Sequence, residues 1–288
     1  MILITGITGL TGRFLYEKLK INFPNMGVRY FVRKSSKFSW SEKDDIFLGD
    51  LSNPKDIEKS LVGIKTVLHL APRNMLQNIL KSVRGSDVKR FYYVNSTGIY
   101  SKFKSSSHVD IKNEEELMKS KMTYTIIRPT MIYGNQFDGN IHILAKLINK
   151  YPIFPIIGDG SGLMHPIYAD DLAYVLMKCI ELEEITRFKC YNVAGKKPMT
   201  YKNILLNISK ALGKKTVFFN FPYFVALLVG RLFNYLPSRI LDYEKVLRIK
   251  EDKNFDYSEA KLDLDFKPLS FQEGISLEIK SLKENKIL

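Results

Sequence analysis

Cysteine is scarce in this chain of 288 residues: there are two, Cys179 and Cys190. Two thiols make neither a disulfide framework nor a zinc ribbon, so a pair of buried thiols in a reducing compartment is expected. The four histidines show no ligand spacing such as H-E-x-x-H, and no metal centre is expected. Acid is also in short supply. Against 44 Lys and Arg stand 30 Asp and Glu, a net charge of +14. Such a balance attracts polyanions, whether nucleic acid, anionic lipid or phosphorylated small molecules, and does not choose among them. The cations are spread along the chain and no nucleic-acid-binding motif appears, so the excess reads mostly as solvated surface, with no nucleic-acid partner. Long apolar runs are missing too. The opening "MILITG" is too short for a signal peptide and has neither a basic n-region nor a cleavage site. The most apolar stretch, "TVFFNFPYFVALLVGRLFNYLP", contains Pro222 and Arg231 and falls short of the ~20 residues a span needs. A cytoplasmic protein is expected.

What is present suffices for a core. Hydrophobic residues make up 45% of the chain and charged residues 26%, which excludes a disordered chain. Short apolar runs alternate with amphipathic stretches: "MILIT", "VRYFVR", "DIFLGD", "KTVLHLA", "RFYYVNS" and "YTIIRP" read as strands. "GLTGRFLYEKLKIN" carries a helical apolar stripe, and "SNPKDIEKSLVG" is a helix with Ser52 or Asn53 as N-cap and Gly63 as stop. The alternation implies βαβ units, hence an α/β fold with a doubly wound parallel sheet. After Pro129 the rhythm changes to Gly/Asp/Asn-rich loops and helices. "ADDLAYVLMKCI" reads as a helix capped by Asp170, "TYKNILLNISKALG" runs from cap Thr200 to stop Gly213, and Ser270 with Glu273 forms a capping box. A smaller, mostly helical C-terminal lobe follows the sheet.

The strongest motif is "TGITGLTG", which follows the first strand and opens the first helix. Gly6 permits the tight turn, Gly9 lets a pyrophosphate approach the backbone, and Gly12 lets helix and strand pack closely. Thr8, Leu10 and Thr11 lie on the same bend, whose helix N-terminus offers N–H groups and a positive dipole to phosphates. This is a dinucleotide-binding turn in its confirming strand–turn–helix context. At the end of the second strand stands "VRKSSK" instead of the acidic residue that would bind a ribose 2′-hydroxyl. Arg33, Lys34, Ser35, Ser36 and Lys37 suit a 2′-phosphate, with Arg33 either binding it bidentately or stacking on adenine. NADP is the expected cofactor, with NAD second. The expected domains are a dinucleotide-binding domain over residues 1–135, joined by residues from about 166–195, and a substrate lobe over 136–165 and 196–288.

At this point the chain resembles the short-chain dehydrogenase/reductase superfamily, specifically its extended and atypical members of the NAD-dependent epimerase/dehydratase family. The resemblance runs nearly the whole length. It rests on "TGITGLTG", "GDLSNP", "VLHLA", "YVNSTGIY", "YTIIRPTMIYG", "MHPIYADDLA" and the C-terminal segments from "YNVAG" and "FDYSEAK" onward. It implies that Asp50 and Leu51 contact adenine, and that Leu70, Ala71 and Pro72 run along the cofactor. It also implies that Ser96 and Thr97 face the active site, and that Arg128, Pro129 and Thr130 approach the nicotinamide. A departure accompanies it. The superfamily's Y-x-x-x-K pair falls, ungapped, near Ser106 and Asp110, and no tyrosine lies between Tyr100 and Tyr124. The segment 102–120 is polar and reads as a loop plus a short acidic helix start.

Three readings follow. In the first, reduction or epimerisation of a carbonyl or alcohol carbon, of a nucleotide sugar or other anionic metabolite, uses substitute groups. Tyr100 with Lys102 or Lys104 would be the proton donor, Ser96 or Thr97 would orient the carbonyl, and Tyr133 is a second phenol. In the second, the chain is a non-catalytic NADP(H)-binding regulator or scaffold similar to the NmrA type. The third is a structural role. Asn135, Asn140 and the loop Gly158–Met164 are candidate pocket residues. His165 is expected to hold its loop by hydrogen bonds, and His69 to be a core or near-cofactor histidine. The apolar segment 217–236, with Lys214, Lys215, Arg231 and Arg239 beside it, is either a cover of the substrate cleft, a dimer contact or a weak membrane-surface contact. A monomer or homodimer is expected.

Overall fold

The computed structural model describes residues 1–233 and 243–288, with side chains throughout except at 104–106, 232–233 and 245. Leu236 and Arg239 lie outside the described residues, as do the side chains of Lys104 and Ser106. In chain order the strands are β1 (Ile2–Thr5), β2 (Val28–Val32), β3 (Asp45–Leu48), β4 (Thr66–His69), β5 (Arg90–Val94), β6 (Thr123–Pro129), β7 (Ile132–Tyr133), β8 (Ile153–Ile157), β9 (Leu163–Met164), β10 (Ile167–Tyr168), β11 (Lys189–Val193), β12 (Met199–Thr200) and β13 (Val217–Phe221). The helices are α1 (Leu10–Asn22), α2 (Pro54–Ser60), α3 (Leu76–Val83), α4 (Lys104–Lys119), α5 (Ile141–Lys150), α6 (Ala169–Glu181), α7 (Tyr201–Leu212), α8 (Tyr223–Phe233), α9 (Tyr243–Arg248), α10 (Ser258–Leu264) and α11 (Phe271–Glu284). Single 3-10 turns lie at Arg73–Met75 and Thr97–Tyr100.

Seven strands form one parallel sheet in the order β11-β6-β5-β4-β1-β2-β3. The chain lays β1, β2 and β3 outward, returns, and lays β4 on the other side of β1. The direction of winding therefore reverses between β1 and β4, the position where open α/β sheets bind ligands. Both faces of the sheet are covered, which is why its strands read as continuous apolar runs. Leu3, Phe31, Val67, Phe91 and Ile126 bury one face against Ile57, Leu76, Ile79, Leu80 and Val83 of α2 and α3. The doubly wound α/β sheet is as expected.

The chain groups into two compact units. The first joins Met1–Pro129, Ala169–Val193 and Tyr257–Lys267, and holds the sheet. The second joins Thr130–Tyr168, Ala194–Asp256 and Pro268–Leu288. Its strands pair as three ribbons, β10 with β7, β12 with β9, and β13 with β8. The sequence reading assigns 130–135 to the sheet domain and 257–267 to the lobe, whereas compactness groups them the other way. Asp263 explains the second case: Tyr191 donates to its carboxylate at 2.7 Å, and Lys189 pairs with it at 3.2 Å.

The cap residues Asn53, Thr200 and Ser270 each accept a backbone N–H at their helix starts. Two local expectations need correction. Asp170 is not a cap: α6 already starts at Ala169, and Asp170 stands in its first turn, paired with Lys18 at 2.9 Å. Residues 104–119 are not a loop with a short helical start but a helix of 16 residues. Its inward stripe is polar, with Asp110, Asn113 and Glu114 buried beside Leu117. A polar inner stripe gives no apolar period to read.

Candidate cofactor and active site

β1 runs into the glycine turn. Gly6 has φ +80, and a Cβ there would stand 2.5 Å from Ala71 N and 2.6 Å from the Leu70 carbonyl carbon. Leu70 N–H in turn donates to Thr5 O at 3.0 Å. The turn therefore closes directly on the end of β4. A Cβ on Gly12 would lie 2.3 Å from Ile7 O, so the start of α1 is seated on the turn backbone. Gly9 differs. Its φ of −76 and ψ of −178 suit any residue, and a Cβ would meet Gly6 O at 3.2 Å. The fold requires Gly6 and Gly12, and requires Gly9 least.

α1 starts without a side-chain cap and without acid in its first turn. Its leading N–H groups, from Leu10, Thr11 and Gly12, carry the positive end of the helix dipole beside the turn. A helix start of this kind could hold an anion such as a pyrophosphate. Arg13 ties it to the next element: its Nε donates to Thr8 O and its Nη2 to Lys37 O, each at 3.0 Å, and its guanidinium lies 4.9 Å from the Phe38 ring centroid. The loop holding Arg33 and Lys34, both exposed, is thus fastened to the glycine turn. The Asp50 carboxyl lies below the usual carboxylate range, chiefly because Ser52 donates to it, with the charge of Arg33 adding. Asn78 donates to Leu51 O at 2.9 Å. Sequence reasoning missed Arg13, although its place directly after the third glycine was a usable signal.

The second half of the site sits at the ends of β5 and β6. Ser96 Oγ accepts Gly98 N–H at 2.9 Å and caps the 3-10 turn. Thr97 is buried and donates to Pro129 O at 3.3 Å. Tyr100 is 48% exposed; its hydroxyl donates to Asn192 Oδ1 at 3.0 Å and accepts from Arg128 Nη1 at 2.9 Å. Arg128 is thus a cation on the Tyr100 hydroxyl; the side chain of Lys104, which the sequence suggested together with Lys102, lies outside the described residues. Arg128 also forms a fork with Glu114, Nε to Oε1 at 2.8 Å and Nη2 to Oε2 at 2.5 Å. This pairing pushes its guanidinium pKa above the usual arginine value. Glu114 accepts from Asn95 Nδ2 at 2.6 Å. Asp110 pairs with Arg73, and Asn113 donates to Tyr93 Oη at 3.1 Å and accepts from Gln77 at 3.0 Å. This buried network behind the Ser96–Tyr100 turn was not visible in sequence, because Arg73, Asn95 and Arg128 are far from α4 in the chain.

The C-terminal edge of the sheet therefore gathers Gly6–Gly12, Arg33, Lys34, Asp50, Leu51, Leu70–Pro72, Ser96–Tyr100, Arg128 and Pro129. Thr130 opens the second unit, and its hydroxyl is buried. His69 Nδ1 lies 2.7 Å from Thr5 Oγ1, and burial pushes its pKa down to about 4, so it is a neutral core group. In the second unit His165 Nε2 donates to Gly195 O at 2.8 Å, while Phe255 N–H donates to His165 Nδ1. The loop 158–162 there borders a cavity of about 460 Å³ with Tyr223, Ile249, Lys250 and Asp252.

Comparison with known proteins bears on the fold and the family. UDP-glucose 4-epimerase of Vibrio cholerae is 23% identical over 95% of this chain and 92% of its own. The N-acetyl-alpha-D-glucosaminyl-diphospho-ditrans,octacis-undecaprenol 4-epimerase of Escherichia coli O157:H7 is 21% identical over 82% of this chain and 80% of its own. The crystal structure of UDP-glucuronic acid 4-epimerase from Bacillus cereus, in complex with UDP-glucuronic acid and NAD, superposes with a TM-score of 0.78 at 17% identity, covering 99% of both chains. The family model described as NAD(P)H-binding matches residues 6–181, more than half the chain. That span begins at Gly6 and takes in the glycine turn and strands β2 to β6 of the sheet, and this chain belongs to the NAD(P)H-binding family, as an epimerase-like extended short-chain dehydrogenase/reductase.

Proposed function

We propose that this protein binds NADP(H) and acts in the cytoplasm, as a monomer or homodimer, on a carbonyl or alcohol carbon of a nucleotide sugar or another diphosphate-bearing metabolite. The observation that carries the reading is the uncapped, acid-free start of α1 behind the glycine turn. Those N–H groups fit a pyrophosphate. Arg33 and Lys34 at the end of β2 fit a 2′-phosphate, which favours NADP over NAD. Leu70, Ala71 and Pro72 then run along the cofactor. The bound nicotinamide supplies hydride chemistry, while the protein orients the substrate and moves a proton. Ser96 and Thr97 position the reacting oxygen, and Tyr100, held by Arg128 and Asn192, is the proton carrier. Residues 136–165 and 196–288 supply the substrate lobe, with Asn135, Asn140 and the loop Gly158–Met164 as its contacts. The two epimerase relatives act on nucleotide- and polyprenol-linked sugars by their names, which supports a diphosphate-linked sugar as substrate.

A second reading is a binder without turnover. It is favoured by the internal use of the hydroxyls: Thr97 donates to Pro129 O and Tyr100 to Asn192. Titration calorimetry with each pyridine coenzyme tests the first step. NADPH should bind about ten-fold or more tightly than NADH, the worth of one charge-assisted contact, and Arg33→Ala should narrow that gap. No heat with any coenzyme would refute the reading. If a panel of sugar nucleotides turns over and Tyr100→Phe abolishes it, the enzyme reading stands; binding without turnover leaves the second.

A further inference from the structure

β8 and β13 form a parallel ribbon whose register sets Ile153 against Val217 and Pro155 against Phe219. Alternation puts Phe154 and Ile156 on the buried face. The other face is apolar too, yet it meets solvent: Ile153 is 57% exposed, Val217 61% and Phe219 45%. Pro222 alone separates this ribbon from α8, where Phe224 and Leu228, one turn apart, are also exposed. Soluble domains rarely leave so many large apolar side chains of one short segment in water without a partner.

Along the sequence the charge beside the segment has one sign, and the acids that approach it, Asp159 and Asp252, line the cavity by Tyr223 at the start of α8. Residues 185–241 hold ten Lys and Arg and no Asp or Glu. Lys214 and Lys215 are exposed immediately before β13, and Arg231 is exposed on the last turn of α8. Lys150 Nζ lies 5.2 Å from the ring centroid of Tyr151, itself exposed beside the start of β8. Apolar side chains rimmed by cations match the bilayer interface, where rings and aliphatics enter the acyl boundary and cations meet lipid phosphates. A nucleic acid would use the cations and the rings but gains nothing from Ile153, Val217 and Leu228. No described helix is long and apolar enough to cross a membrane, so the contact is peripheral.

We propose that the β8–β13 ribbon and the start of α8 dock this protein onto membranes that carry anionic lipid, with Phe219, Phe224 and Leu228 inserted and Lys214, Lys215 and Arg231 on the phosphates. The proposal is independent of the cofactor reading. The test is flotation of the full chain with vesicles of phosphatidylcholine alone and of phosphatidylcholine with about one-third phosphatidylglycerol. Binding should be about ten-fold or more stronger to the anionic vesicles and should weaken in high salt. Phe219→Ser with Phe224→Ser should weaken it about ten-fold or more through lost apolar burial. Lys214→Glu with Lys215→Glu should do the same through charge, and serves if the aromatic variant misfolds by circular dichroism. Failure to bind anionic vesicles, or unaffected binding by a folded variant, overturns the proposal. So does a wild-type dimer that becomes monomeric on removing the two phenylalanines, which would assign the face to a second copy of this chain.

Discussion

Glu278 on α11 is fully buried, and burial together with the nearby carboxyl of Asp138 raises its pKa to about 10. Asp138 itself accepts N–H groups from Asn140 at 2.7 Å and His142 at 3.2 Å. In the unfolded chain a glutamate ionises near its ordinary value, so between that value and about 10 the unfolded state holds fewer protons. Stability then falls as pH rises across this window. Glu278→Gln removes the term. Its urea midpoints at pH 6 and pH 9 should lie closer together than those of the wild type, with a gain at the higher pH of at least about 1 kcal/mol, one pKa unit's worth. An unchanged pH slope would show that Glu278 ionises normally. Residues of this kind are the least legible in sequence. Asp110, Asn113 and Glu114 are polar, so they read as solvent-facing, yet each meets a partner supplied by a distant strand or turn. Gly6 and Gly12 are the opposite case: the backbone around them leaves no room for a Cβ, and their spacing announces that directly.

Among the elements, α1 separates two demands on one motif. Gly12→Val would force a Cβ against the Ile7 backbone and should cost about 2 kcal/mol or more, as overpacked sites do. Gly9→Val keeps an allowed backbone conformation and its Cβ meets only Gly6 O at 3.2 Å, so it should lower the thermal midpoint less than Gly12→Val while sharply weakening coenzyme binding. The pair is measured by thermal denaturation and calorimetry. Equal coenzyme affinity in the Gly9→Val protein would mean that no phosphate approaches this turn. The same contrast explains which elements the sequence disclosed. Helices with a cap and an apolar stripe, such as α2, α7 and α11, were readable from Asn53, Thr200 and Ser270. α4 has neither a capping side chain nor an apolar inner face, so its sequence reads as a loop with a short acidic helix start. The ribbon of β8 and β13 was hidden for another reason: both of its faces are apolar, so no alternation marks it as a strand pair.

At the scale of the whole molecule, the order of strands follows from the βαβ rhythm, but the grouping of segments does not. The sheet unit draws on three separate stretches, the last being Tyr257–Lys267. Asp263 is its anchor, accepting from Tyr191 and pairing with Lys189 on the edge strand β11. Asp263→Ala leaves the Tyr191 hydroxyl without this acceptor and should cost about 1–3 kcal/mol in denaturant unfolding; a neutral result would make α10 a passive cover. The interleaving also governs biosynthesis. At translation speeds of roughly 5–20 residues per second, the ribosome releases the nucleotide-binding strands many seconds before the stretch that fastens their edge. Until that stretch emerges, the nascent polypeptide carries an unfinished sheet margin, an opening for chaperones, and no cut of the gene at one point can yield the sheet unit intact.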